Sequence, residues 1–143
     1  MKEFLKKYFN LESPTIKKLN GYDNVNYLVK DNSERYVFKT YPSQVELLEN
    51  LEAENEVLLH LSEKGEFRFP RPLSFRDGDY IKTLELDGKP TICRLLTYLD
   101  GELMGDTVPD ESAYQSLGKF LAELDFNLSD FRYSSLKDSN CEF

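Results

Sequence analysis

Hydrophobic positions recur along the chain with two periods, and their alternation predicts an ordered series of helices and strands. Apolar residues spaced three and four apart indicate a short helix at the start, a long helix in the middle and a third helix near the end. Between them, alternating and β-branched segments predict strands, and the pairs Asp77-Gly78 and Asp87-Gly88 predict tight turns. The predicted elements are helix 2–9, strands 15–19, 26–30 and 35–41, helix 43–64, strands 73–75, 80–86 and 91–97, and helix 110–128.

The order of these elements predicts the fold class. A short helix is followed by three strands, one helix and three more strands, which is typical of an α+β fold with an antiparallel β-sheet and one packed helix. Pro70 and Pro72 force an extended segment after the long helix. A polar stretch over 100–109 then separates this unit from the last helix. We therefore expect a lobe over 1–99, a linker over 100–109 and a further segment over 110–143.

The long helix carries one charge in an unexpected place. Its leucines form a single apolar stripe, and they are Leu47, Leu51, Leu58 and Leu61. Glu54 falls in the middle of that stripe, whereas the other glutamates of the helix mostly project to the opposite side. A carboxylate on a packing face requires a partner, because the burial of an unpaired charge is strongly unfavourable. The alternative interpretation is a glutamate at a partly open rim of the interface between helix and sheet.

Lys39 is the candidate partner of Glu54. Alternation along strand 35–41 places Val37, Lys39 and Tyr41 on one face, so Lys39 is a lone cation among apolar residues. A strand lysine paired with an inward helical glutamate is the ion pair that kinases use to fix the lysine on nucleotide phosphates. Lys39 alone is equally typical of an edge strand. The order and spacing of the two residues favour the phosphate-binding interpretation.

The segment Gly21-Tyr22-Asp23-Asn24 lies between the first two predicted strands. Gly21 permits a close approach of the backbone, and the amides that follow can face anionic oxygens. An Asn-Gly pair by itself usually forms an ordinary hairpin turn. Only the nearby candidates Lys39 and Glu54 favour a loop that covers phosphates.

Composition and charge exclude several classes of protein. The 143 residues fit one domain or one lobe of a larger one. With 40% hydrophobic residues and a formal net charge of −8, neither disorder nor a basic nucleic-acid or membrane face is expected. The longest apolar run, Ile92 to Leu99, is interrupted by Arg94, and there is no signal-peptide pattern. Two cysteines without metal-like spacing complete the prediction of a reduced, cytoplasmic protein with no nucleic-acid or membrane partner.

Four segments occur in a recognisable order: GYDNVNYLV at 21–29, YVFKTY at 36–41, LEAENEVLLHL at 51–61 leading to FPRP at 69–72, and RLLTYLDGE at 94–102. Together they resemble the N-terminal lobe of the aminoglycoside phosphotransferase/choline kinase-like family, which has a protein-kinase-like fold. LGKFLAELD at 117–125 is similar to the family's first helix beyond the hinge. Within the family, the chain is most similar to the hydroxylysine-kinase-like proteins, which have a Tyr-Asp-Asp-like loop.

The resemblance implies that the chain binds ATP. Lys39 would contact the α- and β-phosphates, Glu54 would orient Lys39, and residues 21–26 would cover the triphosphate. Val37 would line the adenine pocket. The hinge would read the adenine edge through its backbone groups, and its residues are Leu96, Thr97, Tyr98 and Leu99.

The family's chemistry also needs a His-x-Asp loop, an Asn that holds magnesium and a second magnesium-binding Asp. His60 is the only histidine, and Ser62 stands where the loop Asp would have to be. The resemblance therefore implies neither a catalytic residue nor a metal ligand in residues 1–143, with Mg²⁺ held by a missing C-terminal lobe. We expect the parent protein to be an ATP-dependent phosphotransferase for a hydroxyl of an amine, amino acid or aminoglycoside. This chain alone is expected to be inactive.

Two alternatives stay open from the sequence. The chain is a stand-alone, non-catalytic nucleotide-binding or interaction module, or it is a structural α+β domain that binds no nucleotide. If instead it ends just past the boundary between two lobes, helix 110–128 exposes an apolar surface, which predicts self-association.

Overall fold

The computed structural model describes residues 1–19 and 24–133. Gly21, Tyr22 and Asp23 of the predicted phosphate loop lie outside the described residues. The predicted helices and strands are present in the predicted order, with shorter ends in several cases. The elements are α1 (Lys2–Tyr8), β1 (Thr15–Leu19), β2 (Val25–Asp31), β3 (Glu34–Pro42), α2 (Val45–Ser62), β4 (Pro72–Leu73), β5 (Lys82–Leu86), β6 (Lys89–Thr97), a 3₁₀ turn (Met104–Asp106) and α3 (Glu111–Leu128).

The strands form one six-stranded sheet in the order β1-β2-β3-β6-β4, and β5 also pairs with β6. Every pairing is antiparallel, which confirms the predicted α+β class. The pairing of β3 with β6 aligns Lys39 with Arg94 and Val37 with Leu96. It therefore places the strand that leads into the predicted hinge directly beside the strand that carries Lys39.

The turn between β5 and β6 follows from its sequence. Asp87 and Gly88 have φ angles of 51° and 74°, and Leu86 pairs with Lys89 across the turn. Two consecutive positive φ angles are what a type I′ hairpin requires, and Asp-Gly adopts them at low cost. The predicted Asp87-Gly88 turn is confirmed.

The two faces of the sheet bury different clusters. On one face α1 packs over a core that contains Leu5, Phe9, Leu11, Val29, Phe38, Phe75, Cys93 and Leu95. The other face meets α2, where Leu51 packs with Tyr41 and Ile92. Because side chains alternate along a strand, Lys39 belongs to the α2 face while Phe38 belongs to the α1 face.

The last helix, α3, packs against the end of α2 and the loop that follows it. The Phe120 ring lies 5.2 Å from the Phe67 ring and 5.6 Å from the Phe69 ring, measured between centroids. His60 Nε2 lies 2.9 Å from the carbonyl oxygen of Asn127. None of the helices within residues 1–19 and 24–133 combines the length and apolarity needed to cross a bilayer.

Candidate functional site

Lys39 lies on β3, with Asn26 of β2 opposite it on one side and Arg94 of β6 on the other. Directly paired residues of an antiparallel sheet project to the same face, so these three side chains share the face that α2 covers. Val37 lies two residues before Lys39 and therefore shares this face, opposite Leu96. The predicted placement of Val37 beside Lys39 is thus present in the structure.

Glu54 does not form the predicted ion pair with Lys39. Its Oε2 atom lies 2.9 Å from Nη2 of Arg94, and its side chain is 49% exposed. Glu54 is therefore a rim residue rather than an inward one. The prediction was wrong because alternation along a single strand identifies only Lys39 of β3 as a cation on the α2 face. The long-range pairing of β3 with β6 brings a second cation beside it.

Arg94 makes four polar contacts although its side chain is only 1% exposed. Besides contacting Glu54, it donates from Nε and Nη2 to the Tyr41 hydroxyl, at 3.2 and 2.8 Å. Its Nη1 donates to Oδ1 of Asn55 at 3.0 Å. A buried guanidinium needs such partners, since an unpaired charge in the interior is costly.

Arg94 and Asn55 were not among the candidate residues. Asn55, 4% exposed, is the buried polar residue of α2 at the position next to Glu54. The sequence did contain a signal, because Arg94 interrupts the apolar run from Ile92 to Leu99. A charge inside an otherwise apolar strand indicates a buried partner as well as a break in hydrophobicity.

The Lys39 ammonium group has no carboxylate partner within residues 1–19 and 24–133. Its Nζ atom lies 5.8 Å from the centroid of the Tyr41 ring, a cation–π distance that leaves its charge uncompensated. On the same face, Oδ1 of Asn26 is buried without a hydrogen-bond partner in the described part of the chain. As far as the described residues go, the site therefore holds a cation without a carboxylate partner on the same face as an acceptor without a donor.

The predicted hinge is tied to neighbouring segments. The Thr97 N–H donates to the Arg71 carbonyl at 2.9 Å, and the Tyr98 N–H donates to the Arg35 carbonyl at 3.0 Å. The Leu99 N–H has no such partner among the described residues. Of these backbone donors, Leu99 is therefore the one left for a ligand.

Arg35 also holds the hinge through its side chain. Its guanidinium forms an ion pair with Asp100, directly after the hinge. The guanidinium carbon lies 5.0 Å from the centroid of the Tyr98 ring. Leu96, at the start of the hinge, is buried on β6. These contacts fix the chain direction as it leaves the sheet.

Metal-binding geometry is absent from the described ranges. No group of three or more His, Cys, Asp and Glu side chains that could hold a metal ion occurs within residues 1–19 and 24–133. These residues do not fit a magnesium site by themselves. The Lys39 ammonium and the Leu99 N–H, both without a partner in the described part of the chain, do fit an anionic ligand with a hydrogen-bonding edge.

The model of the phosphotransferase enzyme family (APH) matches residues 15–132. The chain belongs to this family. Among curated proteins, no match was found.

Three solved structures of similar fold are a kinase of aminopropanol, a kinase of amicoumacin and a phosphotransferase of spectinomycin. A microcompartment-associated aminopropanol kinase matches with a TM-score of 0.71 and 18% identity over 94% of this chain. An amicoumacin kinase in complex with AMP-PNP and Ca²⁺ matches with a TM-score of 0.63 and 16% identity over 83% of the chain. A spectinomycin phosphotransferase in complex with ADP and spectinomycin matches with a TM-score of 0.62 and 18% identity over 85% of the chain.

The likeness concerns only part of each of those proteins. The match covers 41%, 36% and 35% of their respective lengths. Together with the antiparallel sheet, it confirms the predicted N-terminal lobe of a protein-kinase-like fold, followed by one further helix.

Proposed function

We propose that this chain is the ATP-binding lobe of a small-molecule phosphotransferase that acts on a hydroxyl of an amine, amino acid or aminoglycoside. The observation that carries the proposal is Lys39, an ammonium group on a central strand that has no carboxylate partner among the described residues. The proposed division is a nucleotide-binding lobe over 1–99, a linker over 100–109, and the start of a second lobe over 110–143.

In this proposal, Lys39 contacts the α- and β-phosphates of ATP. Within residues 1–19 and 24–133 no carboxylate neutralises the charge of Lys39, so its attraction for polyanionic phosphate is retained. Asn24 and the residues before it cover the triphosphate. Val37 lines the adenine pocket on the same face as Lys39.

The adenine edge is read by the hinge, mainly at Leu99. The N–H groups of Thr97 and Tyr98 are already engaged within the chain. Leu96, Thr97 and Tyr98 then fix the position of the hinge, and Leu99 supplies the free backbone donor.

Magnesium, when bound, neutralises charge on the phosphates. The described residues provide no cluster to hold it, so we place its protein ligands and the catalytic base in a second lobe. The nucleotides present in two similar structures, AMP-PNP and ADP, support a nucleotide as the ligand of this fold. On this proposal the chain by itself does not transfer phosphate.

A stand-alone, non-catalytic nucleotide-binding or interaction module is the second candidate function. Phosphoryl transfer from ATP to a panel of amines, amino acids and aminoglycosides separates the two candidates. Transfer by the full product of the gene supports the kinase, whereas nucleotide binding without any transfer supports the module.

Isothermal titration with Mg-ATP tests the nucleotide site itself. We expect Lys39→Ala to weaken binding by about tenfold or more, as the loss of one phosphate contact would. Lys30→Ala is the matched control, because Lys30 is an exposed lysine on β2, the strand adjacent to β3. Equal affinity of Lys39→Ala and Lys30→Ala would contradict the assignment of Lys39. No binding by the unaltered protein would contradict the nucleotide site as a whole.

A further inference from the structure

We propose that a cavity on the α1 face of the sheet binds a small zwitterion with an apolar side chain, of the class of the free amino acids. The cavity has a volume of about 460 Å³, which is within the range of small-molecule sites. It lies on the face of the sheet opposite to the face that carries Lys39. The inference therefore goes beyond the proposed ATP site and does not depend on it.

The floor of the cavity is apolar. Leu95 of β6 and Phe9, which follows α1, are 0% and 2% exposed, and both line the cavity together with Leu11 and Leu73. These side chains belong to the core cluster of the α1 face or pack against it. Because the core holds them in place, they offer a preformed surface to the apolar side chain of a ligand.

Two residues of opposite charge, Glu34 and Arg71, line the same cavity. Leu73 and Tyr36 pack on the α1 core, and each lies two positions after one of these charges, so alternation places both charges on the α1 face. Neither charged side chain has a hydrogen bond or an ion pair within residues 1–19 and 24–133. Both charges therefore keep their attraction for a ligand of opposite sign.

The sheet sets the distance between these two charges. Thr97 pairs with Tyr36 across β6 and β3. The Thr97 N–H donates to the Arg71 carbonyl, and the Arg71 N–H donates to the Thr97 hydroxyl oxygen, each at 2.9 Å. Arg71 is thus about 10 Å from Tyr36, two strand spacings, and Glu34 lies about 7 Å further along β3. A small ligand between them can direct its carboxylate towards Arg71 and its ammonium towards Glu34.

Tyr36 adds a hydrogen-bond donor to the cavity. Burial, followed by the charges of Glu34 and Asp31, raises the pKa of the Tyr36 phenol above its ordinary value of 10.0. The phenol therefore keeps its proton at neutral pH. Its hydroxyl has no hydrogen-bond partner in the described part of the chain. This leaves the hydroxyl available to donate to the carboxylate of a ligand.

Three probes test the charge contacts on the unaltered chain by NMR chemical-shift titration. They are L-phenylalanine, N-acetyl-L-phenylalanine, which lacks the ammonium group, and L-phenylalaninamide, which lacks the carboxylate. We expect L-phenylalanine to bind, and each analogue to bind at least about tenfold more weakly. Equal affinity for the three probes would overturn the proposal, and so would the absence of binding by L-phenylalanine.

Two substitutions then assign each contact to a residue. In Arg71→Gln the difference in affinity between L-phenylalanine and its amide should vanish. In Glu34→Gln the difference between L-phenylalanine and its N-acetyl derivative should vanish. Arg68→Gln and Glu85→Gln are the matched controls, because both residues are exposed and neither lines the cavity.

The controls should leave all three dissociation constants unchanged. If Arg71→Gln acts no differently from Arg68→Gln, or Glu34→Gln no differently from Glu85→Gln, the ligand does not occupy this cavity and the proposal is refuted. None of these titrations contains a nucleotide. Their outcome is therefore independent of whether the chain binds Mg-ATP.

Discussion

The Glu123 carboxylate on α3 accepts a hydrogen bond of 2.6 Å from the backbone N–H of Glu66, in the loop after α2. The same oxygen atom, Oε1, lies 3.4 Å from the backbone nitrogen of Phe67. Gly65 precedes this pair with a φ of 76°, which turns the chain away from the helix. One side chain of α3 therefore accepts from two backbone amides of the loop after α2.

The first prediction concerns Gly65→Ala. A Cβ atom there would lie 2.1 Å from Glu123 Oε1 and 2.7 Å from Asn127 Nδ2, in a left-handed conformation. We expect a loss of unfolding free energy of about 2 kcal/mol, from backbone strain and the displaced Glu123 hydrogen bond together. Urea denaturation measures it. Gly78→Ala is the matched control, because Gly78 has a φ of 99° but no described atom within 4 Å of a new Cβ. Equal losses at both sites would show that the Glu123 contact contributes nothing.

The second prediction is a pH dependence at Asp130. Lys64 Nζ lies 2.6 Å from the Asp130 carboxylate, and this hydrogen bond lowers the pKa of Asp130 below its ordinary value of 3.8. Because the pKa is lower in the folded state, the stabilisation is present above that value and is lost as the pH falls through the folded-state pKa. We expect Asp130→Asn to lower the urea midpoint at neutral pH, and this difference to shrink as the pH falls below 3.8.

Asp125→Asn provides the comparison, since Asp125 is an exposed carboxylate on α3, close in sequence to Asp130 in the turn after that helix. A pH-independent difference between the wild type and Asp130→Asn would contradict an electrostatic origin.

Local sequence patterns were sufficient to predict the helices and strands, but not to predict which strands pair in the sheet. The Leu51 and Leu61 positions of α2 are buried as the apolar stripe predicted, and the Asp87-Gly88 pair produced its turn. The pairing of β3 with β6 joins residues that are 49 to 61 positions apart in the sequence, from Pro42 with Thr91 to Tyr36 with Thr97. Periodicity describes which face of a strand is apolar, but not which other strand lies beside it.

The same limit explains which contacts of the candidate site could be predicted from the sequence and which could not. Lys39 was recognised from alternation within one strand, and Val37 was correctly placed on its face. Glu54 was assigned to the wrong cation because Arg94 becomes its neighbour only after the sheet forms. The capping of the Glu66 amide by Glu123 was likewise beyond the sequence, since a contact between a side chain and a distant backbone leaves no periodic signal.

The third prediction concerns Cys93, which is fully buried. Burial raises the pKa of the Cys93 thiol from 9.0 to about 12. Thiolate is the reactive form, so a Cys141→Ser variant should resist iodoacetamide in its folded state at a pH of about 8 and react fully in guanidinium chloride. The folded state keeps its proton longer than the unfolded state does, so stability should fall as the pH rises from 9.0 towards 12. Rapid labelling without denaturant would contradict the burial of Cys93.

The fourth prediction concerns the outer face of α3. Tyr114, Leu117 and Leu121 form one stripe and are 59%, 40% and 53% exposed. We expect sedimentation velocity to show concentration-dependent self-association of this chain, driven by burial of that stripe. Leu117→Lys with Leu121→Lys should abolish it. Gln115→Lys, on the opposite side of α3, should not. A monomer at high protein concentration would contradict the prediction.

Arg35 connects strand β3, which carries Lys39, to the segment that follows β6. Its carbonyl and guanidinium hold the segment from Tyr98 to Asp100, and Lys39 follows it on the same strand by four residues, about 13 Å. An extended strand is stiff along its axis. Strand β3 therefore connects the segment from Tyr98 to Asp100, which Arg35 contacts, to Lys39. A displacement of the segment from Tyr98 to Asp100 would therefore be transmitted along β3 towards Lys39.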